Sequence, residues 1–389
     1  MTRVPQKPAR LRLAPVAEVR DLPAWRESMQ HLAKDHRYYE IVADTLGFDC
    51  RAIVFEDATG NAVAVQPCFF VDQDVVIAAP RPVRAAVASI RRFLPRFLQI
   101  RILMAGCAAG EGHLIAPADS ITEVQAKLKE FARQAGAKLI VWKDVPAGYR
   151  DDLGALKDAP ERCAHVPSMP ATRLPLDFTS FDDYLARRLS HAMRKNLRRK
   201  FKTTAAAPPI TMTVTNDLGE DAGEALALYE QVFARSRMQF ERLNKPFLQA
   251  LAARMPDRVR FFLWRQEGRL VAFSLCLVHD GVLYDEYLGL DYKVALDLHL
   301  YFVTFRDILT WAIEQKLTAY HSTPLNYEPK LRLGFDLHPL DLYFAMPWTI
   351  LNRLARPFMG LASPIGAEPV LKEFANAGEM DPGKLVAES

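Results

Sequence analysis

Glu286 lies in VLYDEYLGL (Val282 to Leu290), a run that is otherwise apolar and aromatic except for Asp285. Strand alternation predicts Val282, Tyr284, Glu286 and Leu288 on one face and Asp285 and Tyr287 on the other. An acid on an apolar central strand is expensive to bury alone, so it needs a partner or a task. Two readings fit: a base that takes a proton, or a carboxylate satisfied by an arginine such as Arg265 or Arg306. Further along, His321 ends the run TAYHS, and Tyr327, Glu328 and Lys330 open the segment YEPKLRLGF. Taken singly, Lys330 reads as a solvated helix residue and His321 as a satisfied core histidine. Bunched between 321 and 330, the four side chains carry the groups that general acid–base chemistry uses.

Such residues need a rigid frame. RFFLWR (Arg260 to Arg265), the turn Gln266 to Gly268, and LVAFSLCLVH read as two antiparallel strands. Asp280-Gly281 then turns the chain into the Glu286 strand, an Asp-Gly pair between β-rich runs being a strong hairpin signal. LHLYFVTFRDILTWAIEQ (Leu298 to Gln315) is too long and too apolar for a strand. Its first half is apolar nearly all round, which predicts a helix buried against a sheet. TAYHS follows as a strand, YEPKLRLGF as a short helical turn, and HPLDLYFAM as a last strand.

This order, with NYEPKLRLGF leading into an LYF strand, resembles the acyl-donor half of the GNAT acyltransferase superfamily. The ending resembles its FemAB-like branch, which holds peptidoglycan aminoacyltransferases and related bacterial acyltransferases. The resemblance implies an α/β (α+β) fold of two tandem GNAT-like domains, each a mixed, mostly antiparallel sheet flanked by helices. It implies an N-acyltransferase using an acyl thioester, acyl-CoA or acyl-carrier protein, as co-substrate, with no metal. Under it Glu286 is the base for the acceptor amine, directly or through water, Tyr327 protonates the leaving thiolate, and His321 completes the catalytic group. Tyr284, Tyr287, Glu328, Lys330, His299 and Arg306 are then substrate-binding.

The donor site departs from the family pattern. GNAT domains cradle a pyrophosphate with a Gly-rich loop at the start of the long helix, through backbone N–H groups and the helix dipole. Here that position reads YKVALDLH (Tyr292 to His299), without glycine. An acyl-carrier protein, an aminoacyl-tRNA, or coenzyme A held differently all stay open as donors. In the first half, GCAAGEGH (Gly106 to His113) stands at the matching place, where Gly110 and Gly112 form either a cofactor loop or a plain turn.

The first half repeats the pattern. AIVFEDATGNAVAVQPCFFVDQDVVI (to Ile77) reads as strand, polar turn, strand, acidic turn at Asp72 to Asp74, strand, and so matches Phe261 to Asp285. Ile121 to Pro146 parallels the Leu298 helix and its strand, with Ser120 as N-cap and Gly136 as stop. The expected organisation is 1–165 as N-terminal domain, 166–180 as crossover linker, 181–346 as C-terminal acyltransferase domain, and 347–389 as a basic amphipathic stretch and polar tail. Pro23 to Leu46 reads as helical, 179–204 as one helix, Ile210 to Thr215 as a strand, and Asp221 to Met255 as two helices.

Composition bounds the rest. Fifty per cent hydrophobic and 25% charged residues over 389 positions describe a globular protein with room for two cores. The net charge of +4 is mild, but 187–202 is densely basic with no acid. That run suits a solvated face, phosphates of a tRNA or carrier protein, or, together with WTILNRLARPFMGL, anionic headgroups. Five scattered cysteines without CxxC spacing speak against a disulfide framework or zinc site. With no signal-peptide or membrane-spanning run, the expectation is a cytoplasmic protein, peripheral at the inner membrane at most. The expected acceptor is a small-molecule or lipid amine such as a sphingoid base. The alternatives are an aminoacyl-tRNA-dependent transferase acting on a peptidoglycan precursor and a non-catalytic, degenerate binding protein.

Overall fold

The computed structural model of the protein describes residues 8–74, 81–158, 162–236, 239–359 and 364–380. In chain order it opens with β1 (Arg10–Pro15), α1 (Val16–Val19), α2 (Pro23–Met29) and α3 (His36–Thr45). The helical stretch expected over Pro23 to Leu46 is broken because Asp35 caps α3, its carboxylate accepting the Arg37 N–H at 3.0 Å. β2 (Asp49–Glu56) and β3 (Ala62–Asp74) form a hairpin, followed by α4 (Arg81–Ile90), β4 (Gln99–Ala105), α5 (Ile121–Gln134), β5 (Leu139–Pro146) and β6 (Ala164–Pro167). Then come β7 (Ala171–Pro175), α6 (Phe181–Arg188), α7 (His191–Ala205), β8 (Ile210–Thr215), α8 (Ala222–Phe233) and α9 (Lys245–Arg254). The last series is β9 (Val259–Gln266), β10 (Arg269–His279), β11 (Val282–Leu290), α10 (Leu300–Glu314), β12 (Ala319–Ser322), α11 (Tyr327–Arg332), β13 (Asp336–His338), β14 (Leu340–Ala345) and α12 (Thr349–Met359).

Local chemistry sets several boundaries. Asn244 caps α9 by accepting the Phe247 N–H at 2.9 Å, and Pro246 sits in the first turn, where its missing N–H costs nothing. Ser180 caps α6, and Ser190 caps α7 by accepting the Met193 N–H at 3.3 Å. A second cap inside the basic run therefore splits the one helix expected there into two. Ser120 makes no capping bond to α5, in contrast to expectation, while Gly136 (φ 71) does stop that helix in the left-handed region. Asp72 to Asp74 form no turn but extend β3, which pairs with β4 from Cys68↔Ala105 to Asp74↔Gln99. The third strand of that set is thus β4; the one expected up to Ile77 falls in part on 75–77, outside the described residues.

The chain folds into two compact units. One holds residues to Gln30, Gly47–Ser168 and Leu340–Pro364; the other holds His31–Leu46, Met169–Pro339 and residues from Ile365 on. Each carries a mixed, mostly antiparallel seven-stranded sheet, ordered β1-β2-β3-β4-β5-β14-β6 in the first and β13-β7-β12-β11-β10-β9-β8 in the second. From β2 to β5 the pairings run antiparallel, antiparallel, parallel, and from β9 to β12 they do the same. The parallel pair is bridged by α5 in one unit and α10 in the other, as a parallel crossover requires. The duplication read from the sequence is therefore present in the fold. The strands beyond this shared series are exchanged in sequence order. β14, which follows β13, fills the place between β5 and β6, while β7, which follows β6, fills the place between β12 and β13.

In the second unit α8 packs tightly on β11. A Cβ at Gly289 would lie 2.6 Å from the Tyr229 backbone nitrogen and 2.8 Å from the Leu228 carbonyl carbon. Backbone cannot give way there, so Gly289→Ala is expected to destabilise the protein by about 1–3 kcal/mol. An unchanged urea midpoint in that variant would show that α8 moves freely on the strand.

Candidate active site

β11 is not a regular strand. Against β10 its register jumps, Cys276 pairing with Asp285 and Leu275 with Tyr287, which makes Glu286 the extra residue of a β-bulge. The bulge changes the face parity. Leu283 and Leu290 share one core cluster, with Leu288 packed against it, although strict alternation would separate Leu283 from the other two. The alternation expected for this strand is thus corrected at Glu286: Tyr287 sits opposite Leu275, away from the cluster holding Leu288.

A second irregularity meets the first. β11 and β12 pair in parallel only from Val282↔Ala319 to Asp285↔Ser322. Beyond that point β11 continues to Leu290 while the other chain leaves through Leu325 (φ 77) and Asn326 (φ 54). Left-handed backbone at a leucine costs on the order of 1–2 kcal/mol, so the surroundings must impose it. The two strands part at Asp285 and Ser322, and the ionisable side chains collect there.

Glu286 is buried, and its Oε2 accepts a hydrogen bond from Lys34 Nζ at 2.8 Å. The arginines suggested as its partners are occupied elsewhere: Arg265 pairs with Asp221 at 2.5 Å and Arg306 with Asp307 at 2.7 Å. The Lys34 loop is itself braced. Arg258 donates to the Leu32 and Ala33 carbonyls and pairs with Asp35 at 3.2 Å, and Arg37 joins Asp35 at 2.9 Å.

On the other face, Asp285 accepts Ser274 Oγ at 2.7 Å and Tyr320 OH at 2.6 Å, with Cys276 Sγ at 3.6 Å. Burial first, and then the Asp285 charge, push the Tyr320 hydroxyl and the Cys276 thiol well up, so both stay protonated donors. Asp285 also acts on Lys330, whose Nζ donates to the Thr323 carbonyl in the parting loop. Burial pulls the Lys330 ammonium down to about 7, with the Asp285 charge opposing. Lys330 is a buried amine, not the solvated residue its helix position suggests. Tyr301, at the start of α10, is likewise held protonated by burial and hydrogen-bonds Asn326.

His321 stands between these groups. Its ring lies 5.3 Å from that of Tyr284 and 4.8 Å from that of His338. Burial, followed by the charges of His338, Lys34, Arg173 and Lys330, pushes its pKa well down, so at neutral pH it is an uncharged imidazole. The structure therefore brings Glu286, His321, Lys330 and Tyr284 to the strand parting. Tyr287 is near but turned to Glu241, to which its hydroxyl donates at 2.9 Å.

Tyr327 is differently placed. Its hydroxyl donates to the Pro170 carbonyl at 2.8 Å, and the buried ring packs in a small cluster with Met169, Leu337 and Phe374. It is held as a packing residue, which fits poorly with donating to a thiolate. Glu328 is exposed and joined to Arg332 one turn on. Arg306 lies 4.9 Å over the Phe201 ring, on the α7 side of α10.

His299 (φ 50) ends the turn before α10, and burial with Lys200 and Arg199 lowers its pKa. In that turn the N–H groups of Val294, Ala295, Leu298, His299 and Leu300 donate to carbonyls of residues 291–296. A phosphate here would meet side-chain cations rather than those amides. Lys200 sits 4.6 Å over Phe302 and Arg235 sits 4.0 Å over Tyr292. In the first unit, Gly110 and Gly112 belong to a packed turn: a Cβ at Gly112 would fall 2.2 Å from the Lys143 carbonyl oxygen, and its N–H donates to Asp144 O at 3.0 Å. Lys143 Nζ donates to Gly110 O at 3.0 Å. Gly112 is there for close approach of two backbones and its N–H is taken by Asp144 O, while Gly110 (φ 139) turns the chain and offers its carbonyl to the Lys143 ammonium.

Lys34 and Asp285 are the functional candidates that local sequence reading missed. Lys34 lies far up the chain in HLAKDH, with nothing nearby to tie it to Glu286. Asp285 was visible as the second acid of an apolar strand, but its Ser274 and Tyr320 partners come from neighbouring strands.

Residues 191–330 match the family described as an acetyltransferase (GNAT) domain, a stretch that contains Glu286, His321, Tyr327 and Lys330. No curated protein matches the chain by sequence. Among solved structures, the C-terminal domain of a protein assigned as a lysylphosphatidylglycerol synthetase from Agrobacterium fabrum is similar at 11% identity and TM-score 0.50, over 92% of this chain and 96% of that one. L-PGS from Bacillus licheniformis is similar at 13% identity and TM-score 0.50, over 87% and 95%. A tandem GNAT protein from the clavulanic acid biosynthesis pathway is similar at 11% identity and TM-score 0.49, over 87% and 99%. At such identities the likeness is one of fold.

Proposed function

We propose that this chain, a tandem GNAT acyltransferase of the arrangement that the FemAB-like resemblance implies, passes an acyl group from a thioester donor to an amine at the parting of β11 and β12. The observation that carries this reading is the coincidence of that parting with Asp285, Glu286, His321 and Lys330. Beyond Asp285 the edge of β11 offers backbone N–H and C=O groups on which an extended donor can lie as an added strand. An N–H on that edge can polarise the thioester carbonyl as negative charge grows on its oxygen.

Lys330 is the proton acceptor in this scheme. Its amine donates one N–H to Thr323 O and, when neutral, keeps a lone pair for the acceptor's proton. A base whose pKa lies near the working pH is the efficient one. Glu286, held by Lys34, orients the acceptor amine. Attack forms the C–N bond and breaks the C–S bond; the proton lost by nitrogen is available, through Lys330, to the leaving thiolate. No covalent enzyme intermediate is required. Arg199 and Lys200 supply the cations for an anionic donor at the α10 turn, which favours acyl-CoA or an acyl-carrier protein. An amino-lipid such as a sphingoid base is the preferred acceptor class.

The second reading is aminoacyl transfer from an ester donor such as aminoacyl-tRNA. Its support is the fold shared with the lysylphosphatidylglycerol synthetase domain. The test is incubation of the purified protein with acetyl-, medium- and long-chain acyl-CoA and a sphingoid base, reading amide product and released thiol together. Equimolar amide and thiol support the first reading. Absence of both across the panel, with product from aminoacyl-tRNA, would replace it by the second.

A further inference from the structure

One end of the first unit's sheet carries an apolar, basic surface that acyl transfer does not use. The strand registers define that end: Asp74 faces Gln99, Ile102 faces Leu139, and Ile140 faces Ala345. The chain therefore enters β4, and starts α12, at this end. Two contacts fix α12 there: Arg133 Nη1 donates to Pro347 O at 2.8 Å, and Lys138 Nζ lies 5.0 Å over the Trp348 ring. Asn352 anchors the helix itself, accepting the Met346 N–H at 2.8 Å and donating to Arg162 O at 3.3 Å.

With its polar anchor turned inward, α12 presents apolar side chains outward. Ile350 is 77% exposed and Phe358 73%, with Leu354 between them on the same stripe. From the β3–β4 connection, Phe93 is 86% exposed and Leu94 stands beside it. Large apolar side chains so fully exposed, on two segments joined to the same end of one sheet, mark a surface made to be covered. Its charge says by what. Arg91 is paired with Asp74, but Arg92 and Arg96 flank Phe93 and Leu94 with no acid in 85–100, and 342–367 hold Arg353 and Arg356 and no acid. A second copy of this face would set arginine against arginine; an anionic bilayer would answer both the charge and the apolar tips. Among the described residues no helix is long and apolar enough to cross a membrane, so the contact would lie in the interface.

We propose that this end of the first unit, Phe93–Leu94 and the outer face of α12, docks on the surface of an anionic phospholipid bilayer, with Arg92, Arg96, Arg353 and Arg356 at the headgroups. The proposal stands apart from the reading of the acyl-transfer site, since none of these residues belongs to it.

The experiment is flotation of the full chain with phosphatidylcholine vesicles, alone or with phosphatidylglycerol, at low and raised salt. The wild-type protein is expected to float with the phosphatidylglycerol vesicles, weakly with the neutral ones, and less as salt rises. Phe93→Ser/Phe358→Ser, both at exposed positions and checked for an unchanged melting curve, is expected to lower vesicle affinity about tenfold or more. Arg353→Gln/Arg356→Gln is expected to weaken binding to the anionic vesicles alone. Absence of flotation, or flotation that the serine pair leaves unchanged, overturns the proposal. So does a dimer in light scattering that the serine pair dissolves, which would make the face a protein contact.

Discussion

Replacing Lys330 by methionine is expected to lower turnover by about 10²–10⁴-fold and to remove a rising limb from the pH–rate profile. Burial lowers the ammonium to about 7. Below that pH the protonated form prevails and cannot accept a proton, so the wild-type rate should climb as pH rises through about 7 and level off above it. Methionine keeps the stem's packing and loses only the amine and its bond to Thr323 O. If the methionine variant retains the rising limb, another group is the base. His321 is then the nearest alternative, although its lowered pKa makes it a weaker proton acceptor.

The second large effect is on stability. Lys34 and Glu286 have side chains only 9% and 6% exposed and are joined at 2.8 Å. Taking the ammonium away from a carboxylate so placed costs about 3–5 kcal/mol, whereas replacing both ions by neutral groups of similar shape restores much of the loss. Lys34→Met is therefore expected to lower stability by that amount, and Lys34→Met/Glu286→Gln to recover more than half of it. Chemical denaturation of the four proteins of the cycle measures this directly. A Lys34→Met variant within about 1 kcal/mol of wild type would show the pair to be held in water after all.

Much of the fold was legible because local signals are local. The Asp280-Gly281 turn, the Asn244-Lys245-Pro246 start of α9 and the long apolar α10 each declare themselves within a few residues. In the first half the first two strands, the helix and the last strand of the repeat were visible for the same reason, while its third strand proved to be Gln99–Ala105. Other features depend on partners distant in sequence. Nothing near Glu286 announces a bulge, because the bulge exists only against Leu275 and Cys276 of β10. Lys330 looks solvated in YEPKLRLGF, yet tertiary packing buries it. Tyr327 looks chemical and proves to be packed, its hydroxyl taken by Pro170 O. Gly110 and Gly112 resemble a phosphate loop, but Gly112 answers the Lys143 backbone and Gly110 accepts from the Lys143 ammonium. Glu286, His321 and Lys330 stood out in the sequence as candidates; the contacts that set them side by side lie between strands.

The placing of β14 between β5 and β6 has a consequence for how the chain comes into being. On the ribosome, residues up to Ser168 emerge first but cannot close their sheet, since the strand it lacks is Leu340–Ala345. Until then the facing edges of β5 and β6 carry unpaired N–H and C=O groups, an invitation to the wrong partner. The second unit, whose exchanged strand β7 is made before the rest of its sheet, has no such wait. Folding from the amino end is thus delayed, and a fragment ending at Ser168 should be a poor stand-in for a domain, prone to aggregate until residues 340–345 are supplied in trans.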